Sequence, residues 1–399
     1  MRKKINKLNK IVFFNIPAHG HTNPTLIVVK ELIARGHQVW YYSYSLLREK
    51  IESTGAVFVS CDDYDIEKKL APQASARLSK DLAFATEVLV DMTLALGDKV
   101  CADMEELKPN CIVADSMALW GKAVAMKLGI PFVSSTTTFV FNQHSSKIMK
   151  QSFSELFRMI LSFPKVNKQL KRLQKRGYPI KSILDILQND NNTHTIVYTS
   201  SEFQPSSETF SDKYAFVGPS IRTATTEIEK TKEKLIYISM GTVNNDLLKI
   251  YKQCITAFSE TDYQVIMSIG NSVSPQEFGV LPENISVFSQ VDQIAVLQKA
   301  DLFVSHCGMN SVNESLYFGV PLLMLPQTTE QGGVSQRVLQ LNAGIKLDKV
   351  NPNSILNAAE KLINDPGYRH NASIISEGFK QCSGANGAAD KILEVSAIQ

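Results

Sequence analysis

Short β-rich runs alternate with helix-like segments along this chain, and that alternation excludes most architectures before anything else is weighed. "KIVFFNI" reads as a strand buried on both faces, and "HGHTNP" as the turn after it. Asn23 and Pro24 suit an N-cap and a first helical position, opening the helix "TLIVVKELIARG" that Gly36 closes. "HQVWYYS", "NCIVADS" and "IPFVSS" continue the strands, with "ALWGKAVAMKLG" a helix between the last two. Such βαβ repetition predicts parallel sheets with helices on both faces.

The pattern stops once and restarts. Residues 218–234, "GPSIRTATTEIEKTKEK", are polar and lack apolar periodicity, which reads as an interdomain linker. Beyond it "LIYISMGT", "YQVIMSIG", "ISVFS", "DLFVSH" and "VPLLMLP" are strands with helices between them. The expected fold class is therefore α/β, with two doubly wound Rossmann-like halves. The expected boundaries are 1–217, a linker at 218–234, and 235–380. A C-terminal helix at 381–399 has the option of packing back on the first half. A chain of 399 residues can bury two such cores.

Composition removes several functions. The net charge of +3 is small for this length and implies no nucleic-acid partner. No run reaches the roughly 18 apolar residues of a membrane span. The start "MRKKINKLNK" is basic, but the apolar run after it is short, ends in Pro17 and lacks a cleavage site, so a signal peptide is not expected. A second basic stretch runs from Lys147 to Lys181, and both read as solvated surface rather than a membrane or polyanion patch. The six cysteines are scattered without metal-ligand spacing, which suits reduced thiols in the cytoplasm. Residues 135–190 carry Phe139, Phe141, Phe153, Phe157 and Phe163 with Met149 and Met159, read mainly as core and secondarily as an apolar pocket.

Ligands of open α/β sheets bind where strands end, and four such places hold chemistry. "DLFVSH" ends at His306, Gly308 allows a sharp turn with close ligand approach, and Asn310 and Ser311 open a helix whose N-terminus attracts anions. Glu314, one turn on, suits two vicinal hydroxyls such as a ribose; the alternative is an ordinary cap with a surface glutamate. "SMGT" ends at Thr242, which can cap a helix and touch a phosphate. Glu330 and Gln331, on the loop "PQTTEQ", pair an acceptor with a donor for sugar hydroxyls. "PAHGHTNP" places His19 and His21 after the first strand, where one could act as general base with Asp115 orienting it.

"SHCGMNSVNESLYFGVPLLMLPQTTEQ" resembles the nucleotide-sugar signature of UDP-dependent glycosyltransferase family 1, and "HGHTNPTL", "GHQVWY" and "VGPS" resemble its bacterial macrolide and flavonoid branch. The resemblance spans nearly the whole chain. It implies the GT-B fold, with two Rossmann-like domains facing each other across a cleft, acceptor in the first and donor in the second. It implies that His306, Gly308, Asn310 and Ser311 hold the pyrophosphate, Glu314 the ribose, and Glu330 with Gln331 the sugar. It assigns the base to His21, with Asp115 as its partner, and leaves His19 without a catalytic role. Gln290 stands where many members have a uracil-stacking Trp, in "QVDQ", leaving backbone groups of Val291 to read the base.

The expected reaction is an inverting hexose transfer from a UDP-sugar, with glucose favoured by resemblance, to a hydroxylated apolar small molecule. His306 and helix N-termini would meet the charge of departing UDP, so no metal or other cofactor is expected. The expected enzyme is a cytoplasmic monomer with no integral membrane segment. A nucleotide-sugar epimerase of the same architecture and a non-catalytic nucleotide-sugar-binding protein are the alternatives, and neither needs the His21–Asp115 pair.

Overall fold

In the first half the chain forms seven parallel strands: β1 (Lys10–Phe14), β2 (Gln38–Ser43), β3 (Val57–Ser60), β4 (Cys111–Asp115), β5 (Phe132–Thr136), β6 (His194–Val197) and β7 (Tyr214–Phe216). Their order is β3-β2-β1-β4-β5-β6-β7. The second half forms β8 (Leu235–Ser239), β9 (Gln264–Ser268), β10 (Ile285–Phe288), β11 (Leu302–Ser305), β12 (Leu322–Met324) and β13 (Gly344–Lys346), ordered β10-β9-β8-β11-β12-β13. The computed structural model describes residues 8–65, 77, 81–148, 153–182, 184–187, 191–241 and 247–398.

Each sheet reverses its winding once, between β1 and β4 in the first and between β8 and β11 in the second. At a reversal the chain leaves two neighbouring strands in opposite directions, opening a crevice at their carboxyl ends. In register, Phe14 lies beside Ala114 and Ser239 beside Ser305, so these strands stop at nearly the same level.

Both faces of the first sheet are covered, because alternate residues of β1 enter different cores. Val12 and Phe14 pack with Leu96, Val100, Trp120 and Leu170, while Ile11 and Phe13 pack with Val28, Val29 and Leu32. A strand buried on both sides needs a continuous apolar run, which "IVFF" supplies.

The chain divides into two compact units. One holds Met1–Ser145, Gln151–Ser220 and Cys382–Gln399; the other holds Ile221–Gln381 with the short piece Ser146–Lys150. The C-terminal helix Gly384–Ser396 belongs to the first unit. It places Ala388, Ala389, Ile392 and Val395 in the core behind β1, each fully buried Ile or Val being worth roughly 1.5–3 kcal/mol. Arg35 clasps the same helix through Asp390 at 2.5 Å and Asn386 at 3.0 Å.

The stretch read as a linker is held to the second unit. Arg222 and Thr225 bind Asp292, Lys230 binds Asp301 at 2.6 Å, and Gln264 bonds the backbone of Thr231 and Glu229. These five contacts restrain a segment that sequence alone gives no reason to order.

The first helix corrects an expectation. It spans His19–Ala34 with Ala18 as N-cap, so Asn23 is not the cap and Pro24 lies inside the helix. Proline has no N–H for the carbonyl four residues back and is normally free of cost only at a first position. Neighbouring carbonyls are held from outside the helix: Asn15 Nδ2 donates to that of His21 at 3.0 Å, and Ser220 Oγ donates to that of Pro24 at 2.8 Å.

Of the aromatic stretch, Phe139 is core, 5.6 Å from Phe203 between ring centroids, whereas Phe163 is 37% exposed. Met149 and the side chains of Phe153, Phe157 and Met159 lie outside the described residues, as does the basic start up to residue 7. All six cysteines are free thiols. Among the described residues no helix is long and apolar enough to cross a membrane.

Candidate functional site

The switch point of the first sheet carries the candidate acid–base pair. β4 ends on Asp115, and His21 stands in the first turn of the helix that follows β1. Their side chains meet with Nδ1 of His21 2.8 Å from Oδ2 of Asp115. The carboxylate is fully enclosed, while the imidazole side chain keeps 27% of its surface open. The other carboxylate oxygen accepts the Met117 N–H at 2.8 Å, and Thr137 Oγ1 lies 3.3 Å from the same Nδ1.

An ionised carboxylate only accepts hydrogen bonds, so Nδ1 carries the proton and Nε2 keeps its lone pair. A neutral imidazole with that tautomer fixed is what general-base chemistry needs. Asn15 supports the arrangement from below, its Nδ2 bridging the His21 carbonyl and the Tyr41 hydroxyl. His19 takes no part in the pair; it is exposed, 3.4 Å from Lys50 Nζ.

At the second switch point, β8 leads to Gly241 and β11 to His306. Sharp backbone was expected at Gly308, but the left-handed residue is Cys307, with φ +68°, while Gly308 has φ −61° and is the N-cap of the Met309–Tyr317 helix. Gly308 is required for room instead. A Cβ there would meet His306 Nε2 at 2.7 Å, and one on Gly241 would meet Cε1 and Nε2 at 2.6 Å. The imidazole is thus cradled by two glycine backbones. Thr242 lies outside the described residues.

Burial pulls the pKa of His306 down to about 4, against a smaller opposing effect of the Ser239 backbone. The ring is neutral near pH 7. It therefore presents no positive charge to an anion. Attraction for an anion falls to the helix behind it, whose N-terminus carries about half a positive charge. Val312 N–H is the first to join the helical ladder, bonding Gly308 O at 3.0 Å; the first-turn amides, including those of Asn310 and Ser311, precede it.

Glu314, one turn further on, is not a surface residue. Gln293 Nε2 donates to its Oε2 at 2.5 Å and lies 3.4 Å from Ser311 Oγ. Burial raises the glutamate's pKa, and the Gln293 bond opposes that rise. The Gln293 amide is itself oriented by the Tyr237 hydroxyl, which donates to its Oε1 at 3.2 Å; Tyr237 stacks on Phe303 with centroids 4.8 Å apart. Gln293 escaped the sequence reading. The signal was present, a Gln at the start of a short helix after a strand end, but "QVDQ" drew attention to Gln290 instead.

Gln290 is exposed and Val291 half-buried, in the loop after β10. That strand ends at Phe288, so strand alternation does not carry Phe288 to the side of Gln290. Asp292 closes the loop. It caps the Gln293–Leu297 helix and receives Arg222 at 2.5 Å and the Thr225 N–H at 2.6 Å. Burial would raise its pKa, but these bonds outweigh that and hold the carboxyl far below the usual range.

Glu330 and Gln331 were expected on a loop. They stand in the first turn of the Thr329–Gln340 helix, because Thr328 and Gln331 form a capping box. Gln331 Oε1 accepts from the amides of Gln327 and Thr328 at 2.7 and 3.2 Å, so its carbonyl end is engaged in the cap; Glu330 is exposed beside it. Among the described residues no group of three or more His, Cys, Asp or Glu is arranged to hold a metal ion.

Comparison with known proteins agrees with this arrangement of strands. Residues 252–383 match the family model "Erythromycin biosynthesis protein CIII-like, C-terminal domain". The chain is 33% identical over 393 residues to the NDP-glycosyltransferase YjiC of Bacillus licheniformis, covering 96% of each protein. It is 26% identical to the oleandomycin glycosyltransferase of Streptomyces antibioticus over 96% of this chain and 90% of that one. Among solved structures, the glycotransferase of kitacinnamycin superposes with a TM-score of 0.84 at 26% identity, over 97% of this chain and 99% of that one. The calicheamicin glycosyltransferase CalG4 shares the fold, with a TM-score of 0.78 at 24% identity and 98% coverage of both.

Proposed function

The chain belongs to glycosyltransferase family 1, in its bacterial macrolide- and flavonoid-type branch with the GT-B fold, and from that premise we propose that it moves a hexose from a UDP-sugar to a hydroxyl of an apolar small molecule, with inversion at the anomeric carbon. The observation that carries this reading is the 2.8 Å bond between His21 and the enclosed Asp115 at a strand switch point.

In the proposed step, Nε2 of His21 takes the proton of the acceptor hydroxyl as its oxygen attacks the anomeric carbon. The bond from that carbon to the β-phosphate oxygen breaks, and UDP leaves with the electron pair. Asp115 stabilises the imidazolium formed in the transition state. Positioned general-base catalysis of this kind is worth about 10²–10⁴-fold. On the donor side, the His306 N–H and the first-turn amides from Asn310 and Ser311 take the diphosphate, and Glu314 takes the ribose hydroxyls with Gln293 holding its carboxylate in place. Glu330 and the donor end of Gln331 face the transferred sugar, glucose being the first candidate. Val291 reads the base through its backbone. Neutral donors and a helix dipole suffice to receive the leaving group in this scheme, so no metal is required.

The test is direct. The protein is incubated with UDP-glucose, EDTA and a panel of phenolic and macrolide acceptors, and products are weighed by mass spectrometry. A mass gain of one hexose, with the β-linkage seen by NMR, is expected. Retention of the anomeric configuration, or product only when a divalent metal is restored, would overturn the scheme. A parallel series with TDP-glucose reports how far the exposed Gln290 relaxes the choice of base.

A further inference from the structure

The Phe153–Lys175 helix carries a surface that the sugar-transfer chemistry does not use. Its inner stripe, Val166, Leu170 and Leu173, is buried in the core under the Leu82–Leu107 helix. At 100° per residue the opposite side carries Leu161, Lys168, Lys171 and Lys175, all exposed. Large apolar side chains are left open at the N-terminal end of these faces: Ile160 is 51% and Leu161 61% exposed towards the lysine side, and Phe163, on the flank of the inner stripe, is 37% exposed.

The charge of this segment is one-sided. From Leu156 to Leu184 the sequence has eight basic residues and no Asp or Glu. Acidic groups facing it from the neighbouring helix are Asp91 and Asp98, and they go to Arg172 at 2.7 Å and Arg176 at 3.8 Å. Lys165, Lys168, Lys171 and Lys175 project to solvent beyond them. Balanced salt-bridge lacing, the usual state of a solvated helix face, is missing here.

We propose that this helix docks the protein on an anionic lipid surface, with Ile160, Leu161 and Phe163 entering the headgroup boundary and the lysine row lying over the lipid phosphates. The combination selects the partner. A row of lysines alone would suit any polyanion, but three exposed apolar side chains at the end of the row gain only where they leave water. Each lysine near such a surface contributes about fivefold in partitioning, and each buried methylene adds a further fewfold. The association is reversible, as four lysines and three apolar side chains lack the grip of a spanning helix. An apolar acceptor concentrates in lipid, so a docked enzyme would work where that substrate is richest; the docking itself does not depend on the sugar-transfer reading.

The test uses the full chain and vesicles of phosphatidylcholine, with or without about one-third phosphatidylglycerol, at about 0.1 M salt. Sedimentation with the anionic vesicles and not the neutral ones is expected. The triple charge reversal Lys168→Glu, Lys171→Glu, Lys175→Glu should lower partitioning at least tenfold, and the pair Ile160→Ser, Leu161→Ser several-fold, with far-UV circular dichroism unchanged. A Leu161→Trp variant, which leaves the basic row intact, should shift its emission to shorter wavelength on anionic vesicles alone. Absence of binding, binding indifferent to charge reversal, or an unshifted tryptophan would overturn the proposal. So would single-stranded RNA binding as tightly as the vesicles without regard to the Ile160 and Leu161 changes, which would make the surface a polyanion site.

Discussion

His306 occupies the space that a side chain on Gly308 would fill: a Cβ there would sit 2.7 Å from Nε2. Because Gly308 has an ordinary φ of −61°, Gly308→Ala introduces no backbone strain and acts only by displacing the ring. Calorimetric UDP affinity should fall about tenfold, about 1.4 kcal/mol. In a His306→Ala background the same change should cost almost nothing, because the clash has gone. Additive losses in that double-mutant cycle would break the link between the glycine and the ring. Gly241→Ala should be worse than Gly308→Ala in urea unfolding, since φ at Gly241 is +76° and strain adds to displacement.

The depressed pKa of His306 sets a pH dependence with a definite sign. Its folded value of about 4 lies below the ordinary histidine value of 6.5. Between those values the unfolded chain binds a proton that the native chain refuses. Stability contributed by the neutral ring is therefore full above pH 6.5 and is lost as pH falls towards 4, to a total of roughly 3 kcal/mol. Comparing urea midpoints of the wild type and His306→Asn across that window isolates the effect. A difference between the two that stays constant with pH would contradict it.

Asp115→Asn should damage catalysis through the tautomer rather than the fold. Met117 N–H already bonds Oδ1, so the substituted amide keeps its oxygen there and turns its NH₂ towards His21. Nδ1 must then accept, the ring proton moves to Nε2, and the base has no lone pair to offer. Turnover should drop at least 10²-fold with UDP affinity preserved, as for His21→Ala. Thr137→Val, which removes only the 3.3 Å contact, should cost less than tenfold. Full activity in Asp115→Asn would remove the pair from the mechanism.

Gln293→Leu strips the half-buried Glu314 of its donor. Loss of one such bond to a charged group costs about 1–3 kcal/mol, so KM for the UDP-sugar should rise about tenfold or more while kcat changes little. Asp292→Asn is the control next to it: the asparagine oxygen still caps the helix, while the charge facing Arg222 and the bonds that Oδ2 accepts from Thr225 are lost. An unchanged KM in Gln293→Leu would place Glu314 outside donor binding.

Residue patterns that repeat were legible in the sequence. Apolar runs such as "IVFF" and "LIYIS" announced strands buried on both sides, and the rule that ligands sit at strand ends led to His21, Asp115, His306 and Glu314. Features set by contacts between distant residues were not. Pro24 reads as a helix start because nothing nearby reveals that Asn15 and Ser220 tie down the carbonyls around it. Cys307 gives no hint of a left-handed φ, which glycine would advertise, and Gly308 draws the eye one residue too far. Residues 222–231 look like free linker because their partners, Asp292, Asp301 and Gln264, lie 33 to 71 positions away.

The final helix has a consequence for how the molecule comes into being. Ala388, Ala389, Ile392 and Val395 belong to a layer whose other members were translated hundreds of residues earlier. While a ribosome is still making Ile221–Gln381, the sheet that holds His21 has part of one greasy flank uncovered, beside the portion that Val28, Val29 and Leu32 already cover. The nascent chain must carry that open side until Gly384–Ser396 emerges, so loss of that helix would strike the unit made first.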